Sequence, residues 1–345
     1  MVNQGGILFR IFSHVPIIAR RGLASHGAEC RMPDCMDKFS ALFAQGGLSL
    51  DRLRSFVLVV EAGGLARAVE GDEARASLLS RQIRELESFF GVALTRRRGK
   101  GIAFTAAGEE LARLARQHLQ ALDDFRRACR AEPRIIRLVA GNSILEWLLV
   151  PLLAALRAKL PGVEFELLDM RTRDAALQLT RLTADLGILR ADAVTAGLAS
   201  LPVRPIGFAL FVPRALAVGL TPANLRRRFS SLPIAAPIGG QFRDDFEAAA
   251  ERAGWRLQRA LTCSTITHAA RAVRSGSFAA ILPETAVVDL DPAQIQRFTL
   301  PFFRDYRRPL CLVWNVRAAE TRPLVRQTVE ALAPLLAPAV RRPAA

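Results

Sequence analysis

The chain has 345 residues, enough for two or three compact units that each bury a core. Its hydrophobic fraction of 51% excludes a disordered chain, and the lack of any uncharged apolar run of 18 residues excludes a transmembrane helix. A net charge of +16 favours a polyanionic partner, with nucleic acid ahead of a membrane surface. An arginine-rich background composition would produce the same excess, so charge alone leaves both explanations open.

Residues 1–48 mix glycine, arginine and isolated apolar residues, and we predict a disordered extension there. Met32 and Met36 lie nearer the first regular element, so a misassigned start codon is an alternative origin for this segment. The cysteines are odd in number and scattered, which argues against a disulfide framework and favours a reducing cytoplasm. Because Cys30 and Cys35 lack a second pair at zinc-ligand spacing, we expect no structural metal.

Three helices are predicted at the start of the regular chain. Apolar residues repeat at helical spacing from Leu50 until Gly63-Gly64 ends the first helix, and a short second helix covers Leu65 to Val69. A third helix is predicted from Arg75 to Phe90. Two short strands, Val92 to Arg96 and Ile102 to Thr105, then enclose a basic turn. A helix shaped to enter a groove beside a cationic wing is typical of a winged helix-turn-helix that binds duplex DNA.

A long helix follows from its expected N-cap, Thr105, to Pro133. At about 28 residues it spans roughly 40 Å, more than the small N-terminal unit could cover. We therefore predict that its apolar stripe pairs with a second chain; packing on its own C-terminal domain is the alternative. The predicted dimerisation residues are Leu111, Leu114, His118, Leu122 and Phe125.

After Pro133, strands alternate with helices, which predicts parallel sheets with helices on both faces. The predicted strands are Ile135 to Gly141, Val163 to Asp169, Asp185 to Leu189, Gly207 to Val212, Leu232 to Ala236, Leu257 to Cys263, Phe278 to Leu282 and Leu310 to Val316. Pro202 and Pro205 mark the expected crossover between two lobes. A cleft between two α/β lobes would suit a small-molecule ligand.

Particular residues of the N-terminal region resemble the LysR-type transcriptional regulators. Leu53-Arg54-Ser55-Phe56 and Glu61-Ala62-Gly63-Gly64-Leu65 are similar to that family's first helix and turn, and Ser80 to Glu87 with Phe90 to Leu94 to its recognition helix. Arg97 to Gly101, followed by Phe104, Thr105, Ala107 and Gly108, is similar to its wing and linker entry. The resemblance implies an all-α winged helix-turn-helix head, a long linker helix and a two-lobed α/β domain of the type-2 periplasmic-binding-protein kind.

The domain boundaries expected on this basis are 49–108 for the DNA-binding head and 105–133 for the linker and dimerisation helix. Residues 134–337 would form the effector-binding domain, with lobe I at about 134–204 plus 300–337 and lobe II at about 205–299. One departure concerns the start of the recognition helix, where Arg75-Ala76-Ser77-Leu78 replaces the family's Ser-Gln-Pro-like run. The loss of the amide removes a reader of adenine, so the family's base preference does not carry over.

The predicted DNA-binding residues lie on the recognition helix off its apolar stripe, or at the wing. They are Arg75, Ser77, Ser80, Arg81, Arg84, Arg98 and Lys100. Cations there would reach phosphates or groove edges. A solvated helix face and a solubilising charged turn are the alternative explanations.

The predicted effector-binding residues follow strand ends, where helix N-termini favour a carboxylate or another anion. They are Asn142 and Ser143 in lobe I, Ser264, Thr265 and Thr267 at the equivalent place in lobe II, Arg190 beyond a strand end, and Gln241 and Phe242. Plain N-capping would explain Ser143 and Thr265 without any ligand.

Nothing in the sequence supports an enzyme. His268 has no recognisable nucleophile or acidic partner, and the common hydrolase, zinc-protease and nucleotide-binding motifs are missing. We predict a cytoplasmic homodimer or homotetramer that regulates transcription, without a metal or cofactor. Its partners would be double-stranded DNA, a small-molecule effector and RNA polymerase. The rival classes are a DNA-architectural protein without sequence preference, and a solute-binding or enzymatic α/β protein with an incidental basic head.

Overall fold

The computed structural model describes Leu42, residues 46–98 and residues 101–337. The predicted N-terminal extension therefore lies almost wholly outside the described residues. The helices are α1 (Leu50–Glu61), α2 (Leu65–Val69), α3 (Glu73–Phe90), α4 (Ala106–Cys129), α5 (Asn142–Ile144), α6 (Leu153–Lys159), α7 (Thr172–Thr180), α8 (Leu225–Phe229), α9 (Gln241–Arg252), α10 (Ile266–Arg274), α11 (Val316–Thr321) and α12 (Pro323–Leu336).

The strands are β1 (Thr95–Arg98), β2 (Gly101–Phe104), β3 (Arg134–Ala140), β4 (Val163–Asp169), β5 (Leu186–Arg190), β6 (Leu198–Ile206), β7 (Phe208–Pro213), β8 (Ile234–Pro237), β9 (Arg259–Cys263), β10 (Ala280–Pro283), β11 (Ile295–Phe298) and β12 (Arg308–Asn315). A π-helical turn, Leu145–Leu149, and a 3-10 turn, Val150–Leu152, join α5 to α6.

Helices α1 to α3 and the β1–β2 hairpin form the head. The α3 helix begins two residues before the predicted Arg75, because the Asp72 carboxylate caps it by accepting the Arg75 N–H at 3.0 Å. Gly91 closes α3 in the left-handed conformation, which glycine adopts readily. The core of the head contains Phe56, Val59, Val69, Leu79, Ile83, Leu86, Leu94, Leu111 and Ala112.

Lobe I contains a five-stranded sheet in the order β4-β3-β5-β12-β6. β3 runs parallel to β4 and β5, whereas β12 runs antiparallel to β5 and β6. Lobe II pairs β7 antiparallel with β10 and β11, and β8 parallel with β9, with a bridge from Ile234 to Ala279 joining the two sets. The predicted parallel pairing therefore holds for β3 with β4 and β5 and for β8 with β9. Both lobes also contain antiparallel pairs, which were not predicted: β12 is antiparallel where the chain returns to lobe I, and β7 is antiparallel where it first enters lobe II.

The prolines expected at the lobe crossover occupy a strand. Pro202 and Pro205 lie in β6, which sequence analysis missed, and the crossover itself is at Gly207 between β6 and β7. Because β6 is the edge strand of its sheet, a proline can point its missing N–H away from the ladder. Pro205 also lies where the register between β6 and β12 shifts, a position that tolerates proline.

The linker helix α4 has two different faces. Its polar face packs against lobe I of the same chain: the side-chain amide of Gln117 donates to the Arg317 carbonyl at 2.6 Å and to the Thr321 hydroxyl at 2.7 Å. Arg116 is buried, donates to Glu61 of α1 at 2.9 Å, and also bonds the carbonyl oxygen of Arg181 in lobe I. Arg116 thus joins the head, the linker helix and lobe I at one point.

In the part of the chain that the structure describes, no helix is both long and apolar enough to cross a lipid bilayer.

Candidate nucleic-acid interface and ligand cleft

The outer face of α3 carries the predicted DNA-binding residues. Leu79, Ile83 and Leu86 turn into the head core, and this orientation leaves Arg75, Ser77, Arg81 and Arg84 exposed with Ser80 half-buried between them. Arg81 has 78% of its side chain exposed. Its Nε lies 3.2 Å from Glu85, whose pKa is lowered chiefly by a hydrogen bond from Arg52.

Asp72 and Glu73 place negative charge at the start of the candidate DNA-binding helix α3. The Asp72 carboxylate is used locally, since it caps the first turn of α3. Leu78, in the position where the family's run departs, is 54% exposed and lies next to the exposed Ser77. The start of α3 thus presents an apolar side chain and a hydroxyl in place of an amide.

The wing is held to α3 by one carboxylate. Glu87 accepts hydrogen bonds from the Leu94 N–H at 2.9 Å, the Thr95 N–H at 3.0 Å and the Thr95 hydroxyl at 3.0 Å. Because one side chain satisfies three donors, the hairpin β1–β2 is fixed relative to α3. Two predicted wing residues remain untested: Lys100 lies outside the described residues, and only the backbone of Arg98, in β1, is described.

The α4 apolar stripe is exposed along most of its length. Leu114, Leu122 and Phe125 are 46%, 50% and 69% exposed, and His118 is exposed beside them. Leu111 differs, because it is buried in the head's own core. The alternative considered for this helix was packing on the chain's own domain. The opposite, polar face of α4 packs in this way.

The candidate ligand site predicted from the sequence lies where β3 ends beside the N-terminus of α10. Asn142 of lobe I and Thr267 of lobe II meet there, with the Thr267 hydroxyl donating to the Asn142 side-chain oxygen at 2.7 Å. Ser143 is buried and does not cap its helix, whose N-cap is Gly141. Thr265 does cap α10, accepting the His268 N–H at 3.3 Å, so capping accounts for Thr265 alone.

A second contact between the lobes comes from Trp147. This side chain leaves the π-helical turn of lobe I, is buried in a lobe II cluster with Phe211 and Leu282, and donates its indole N–H to Asp289 at 2.7 Å. Inserted π turns are frequent at functional sites. Trp147 therefore adds an apolar contact and a hydrogen bond between the lobes to the bond between Thr267 and Asn142.

The remaining predicted cleft residues divide into two groups. Arg190 ends β5 at the cleft edge, and Gln241 is exposed at the first turn of α9. Phe242 is instead buried and stacks on Phe208, with ring centroids 4.0 Å apart. It belongs to the lobe II core, because the first turn of α9 directs it inward while Gln241 faces solvent. Ser264 is exposed and lies 3.0 Å from the His268 ring.

Sequence analysis missed two residues near Arg190. Arg308, at the start of β12, places its guanidinium over the rings of Phe208 and Phe242, 5.0 and 5.6 Å from their centroids. Beside it, the Tyr306 hydroxyl donates to Asp245 at 3.0 Å. In the sequence, the only signal for these two residues was a run of basic and aromatic residues between the predicted strands Phe278 to Leu282 and Leu310 to Val316.

Over the described ranges, the side chains form no group of three or more His, Cys, Asp or Glu residues that could hold a metal ion. His268 lies on the exposed surface of α10, as its position in the sequence predicted.

Comparisons with known proteins agree with this architecture. Residues 50–109 match the model of the bacterial regulatory helix-turn-helix proteins of the lysR family, and residues 130–337 match the LysR substrate binding domain. The chain is 29% identical over 250 residues to the HTH-type transcriptional regulator DgdR of Burkholderia cepacia, covering 70% of this chain and 79% of that protein. It is 26% identical over 245 residues to a probable hydrogen peroxide-inducible genes activator of Mycobacterium leprae, covering 68% and 77%.

Solved structures share the fold. Full-length OxyR from Pseudomonas aeruginosa matches with a TM-score of 0.57 at 19% identity, covering 84% of this chain and 94% of that one. Full-length CbnR complexed with its target DNA matches with a TM-score of 0.51 at 22% identity, covering 84% and 100%. The head, the linker helix and the two-lobed domain together show that the chain belongs to the LysR family of DNA-binding, effector-responsive transcriptional regulators.

Proposed function

We propose that this regulator binds an operator with dyad symmetry as a homodimer or homotetramer, through the exposed face of α3 and the wing. The observation that carries the proposal is the exposed arginine row on α3, set beside a hairpin that Glu87 fixes in place. Effector binding between the lobes would shift the spacing of two heads, because a ligand must favour one arrangement of the oligomer over another. The cytoplasm as compartment and RNA polymerase as a partner belong to the same proposal.

A gel-shift titration on the DNA upstream of the chain's own gene tests this function. We expect specific binding at least a thousandfold tighter than binding to random competitor DNA. Equal affinity for both would support an architectural DNA-binding protein. A solute-binding or enzymatic α/β protein with an incidental head predicts instead that removing residues 1–133 leaves all function intact.

Arg81→Ala should weaken operator binding and reduce the magnitude of the salt slope by about one, because one phosphate contact is lost. The side chain is largely exposed, so folding stability should change by less than about 0.5 kcal/mol. The measurement is operator affinity over a salt series. Arg227→Ala, which removes an exposed arginine of lobe II, is the matched control and should leave the slope unchanged. If the salt slope of the Arg81 variant is unaltered, Arg81 does not contact a phosphate.

Leu122→Glu and Phe125→Glu should convert the oligomer to smaller species, because two charges would face each other across the proposed helix pair. Both side chains are at least half exposed in one chain, so the fold of that chain should persist. Sedimentation equilibrium gives the mass. Val218→Glu, at an exposed apolar site of lobe II, is the control. An unchanged mass for both α4 variants would remove this stripe as the interface.

Peroxide sensing, suggested by the name of one relative, is left out of the proposal. Reactive cysteines need a lowered thiol pKa. Burial raises the pKa of Cys263, and burial likewise raises that of Cys311. These two thiols of the effector domain are therefore poorly suited to react as thiolates.

A further inference from the structure

One leucine lies among the exposed polar side chains of α3. Leu78 is 54% exposed, and its neighbours one turn away on either side, Arg75 and Arg81, are exposed as well. The next residue, Leu79, is buried in the head core, and Leu78 leaves the helix about 100° away from it. Leu78 therefore lies on the face of α3 that we propose to bind DNA.

Packing of the head does not account for Leu78. The α3 residues of the head core are Leu79, Ile83 and Leu86. Ala76 packs against this core as a partly buried residue, whereas Leu78 does not belong to it. A single exposed leucine is common on protein surfaces, but this one lies in the second turn of α3, and the N-terminal residues of a recognition helix are those that contact base edges. Its position thus indicates a contact outside the chain.

Leu78 would select bases by a different contact from its polar neighbours. The Ser77 hydroxyl can donate and accept hydrogen bonds, so it is compatible with any base edge. The Nε of Arg81 lies 3.2 Å from Glu85 on the next turn of the helix. A leucine side chain makes only apolar contacts, and the apolar group that a base pair presents in the major groove is the C5-methyl group of thymine. Leu78 is therefore suited to recognise thymine.

The amide content of α3 supports a reader of the thymine side. Adenine is read by an amide that bonds its N6 and N7 atoms, and the methyl group of its thymine partner faces the same groove. The single amide side chain of α3 belongs to Gln82, and its oxygen is buried. Because this amide is turned into the head, an A·T pair under α3 would have to be recognised from its thymine.

We propose that Leu78 is a specificity-determining residue that contacts the C5-methyl group of one thymine in each half-site of the operator. The inference rests on the proposed binding of an operator through α3. Burial of one methyl group corresponds to about a fourfold change in affinity. The expected preference is therefore for thymine over the same base without its methyl group.

The test uses an operator that the full chain selects from a random-sequence duplex library. Each thymine of one half-site is replaced in turn by uracil, which removes only the C5-methyl group, and the affinity is measured by gel shift. We expect uracil at one position to weaken binding about fourfold. Leu78→Ala should bind the unmodified operator more weakly and show no further loss with uracil at that position. Leu177→Ala, at an exposed leucine of α7 in lobe I, is the matched control and should keep the fourfold loss.

The other outcomes overturn the assignment of Leu78. Uracil without effect at every thymine shows that no methyl group is read, and an equal uracil loss in Leu78→Ala shows that another residue reads it. Leu78→Gln is a second substitution at this exposed site and should also abolish the uracil difference. A lower mass of either variant in sedimentation equilibrium would place Leu78 in a contact between chains. If the library yields no enriched sequence, the proposed function fails; specific binding without methyl dependence refutes only the role of Leu78.

Discussion

Gly108→Ala should unfold or misdock the head and eliminate operator binding. A Cβ at this position would lie 2.1 Å from the Leu94 carbonyl oxygen, a backbone atom that cannot rotate away. Alanine gains about 1 kcal/mol of helix propensity, but forced displacement of the backbone costs more, so we expect a net loss of about 3 kcal/mol or more. Chemical denaturation followed by circular dichroism measures the loss.

The close approach has a structural reason. Thr105 accepts the Gly108 N–H at 3.0 Å while its hydroxyl donates to the Ala93 carbonyl at 2.7 Å, and its own N–H bonds Leu94. The first turn of α4 is thereby pressed against the chain that leads into the wing. Gly239→Ala is the control, because a Cβ there meets nothing within 4 Å. Equal stability of the two variants would show that the wing and the linker helix can separate without cost.

Most of the head could be predicted because the sequence features that determine it are local. Caps, glycine stops and a helical stripe lie next to one another in the chain, so α1 to α4 were predicted to within a few residues. The exposed face of α3 followed from the stripe, since a helix that buries Leu79 and Ile83 must expose Arg81. The α3 start differed because the Asp72 carboxylate caps the helix ahead of Arg75. The first wing strand begins at Thr95 instead of Val92, and α4 ends at Cys129 instead of reaching Pro133.

The cleft was predicted less completely because its contacts join distant parts of the chain. Thr267 and Asn142 were each placed at strand ends, but the bond between them depends on how the lobes close. Arg308 gave no periodic signal, and its relation to Arg190 depends on β12 returning antiparallel between β5 and β6. The apolar stripe on α4 was visible in the sequence, yet only the fold of lobe I shows what the opposite, polar face contacts.

Arg322→Met should destabilise the effector domain by about 3–5 kcal/mol, because it leaves a buried carboxylate without its partner. Arg322 is 4% exposed and joins Asp124 of α4, at 2.8 Å, to the buried Asp185. Asp185 also accepts the Arg137 N–H at 2.8 Å, which holds its carboxylate against the start of β5. Arg326→Met is the control, because Arg326 lies in α12, the helix that Arg322 precedes, and makes no ion pair with the described residues.

The stability that Arg322→Met loses should depend on pH in a defined direction. Burial already raises the pKa of Asp185, and Arg322 opposes this rise, so removing Arg322 raises the folded-state pKa further. A folded state that holds a proton more tightly than the unfolded chain loses stability as the pH rises through that pKa. The deficit of Arg322→Met relative to the unsubstituted chain should therefore be largest at neutral pH and shrink toward acid pH.

A second substitution separates the charge from the packing. Arg322→Met combined with Asp185→Asn removes the unpaired charge, so it should recover a large part of the stability at neutral pH and lose most of the pH dependence. Urea titrations of the single and double variants at several pH values provide the comparison. A double variant no more stable than Arg322→Met, with the same pH profile, would mean that Arg322 acts by filling space. Because the same guanidinium holds Asp124, restored stability without restored operator binding would identify Arg322 as the point where lobe I holds the linker helix.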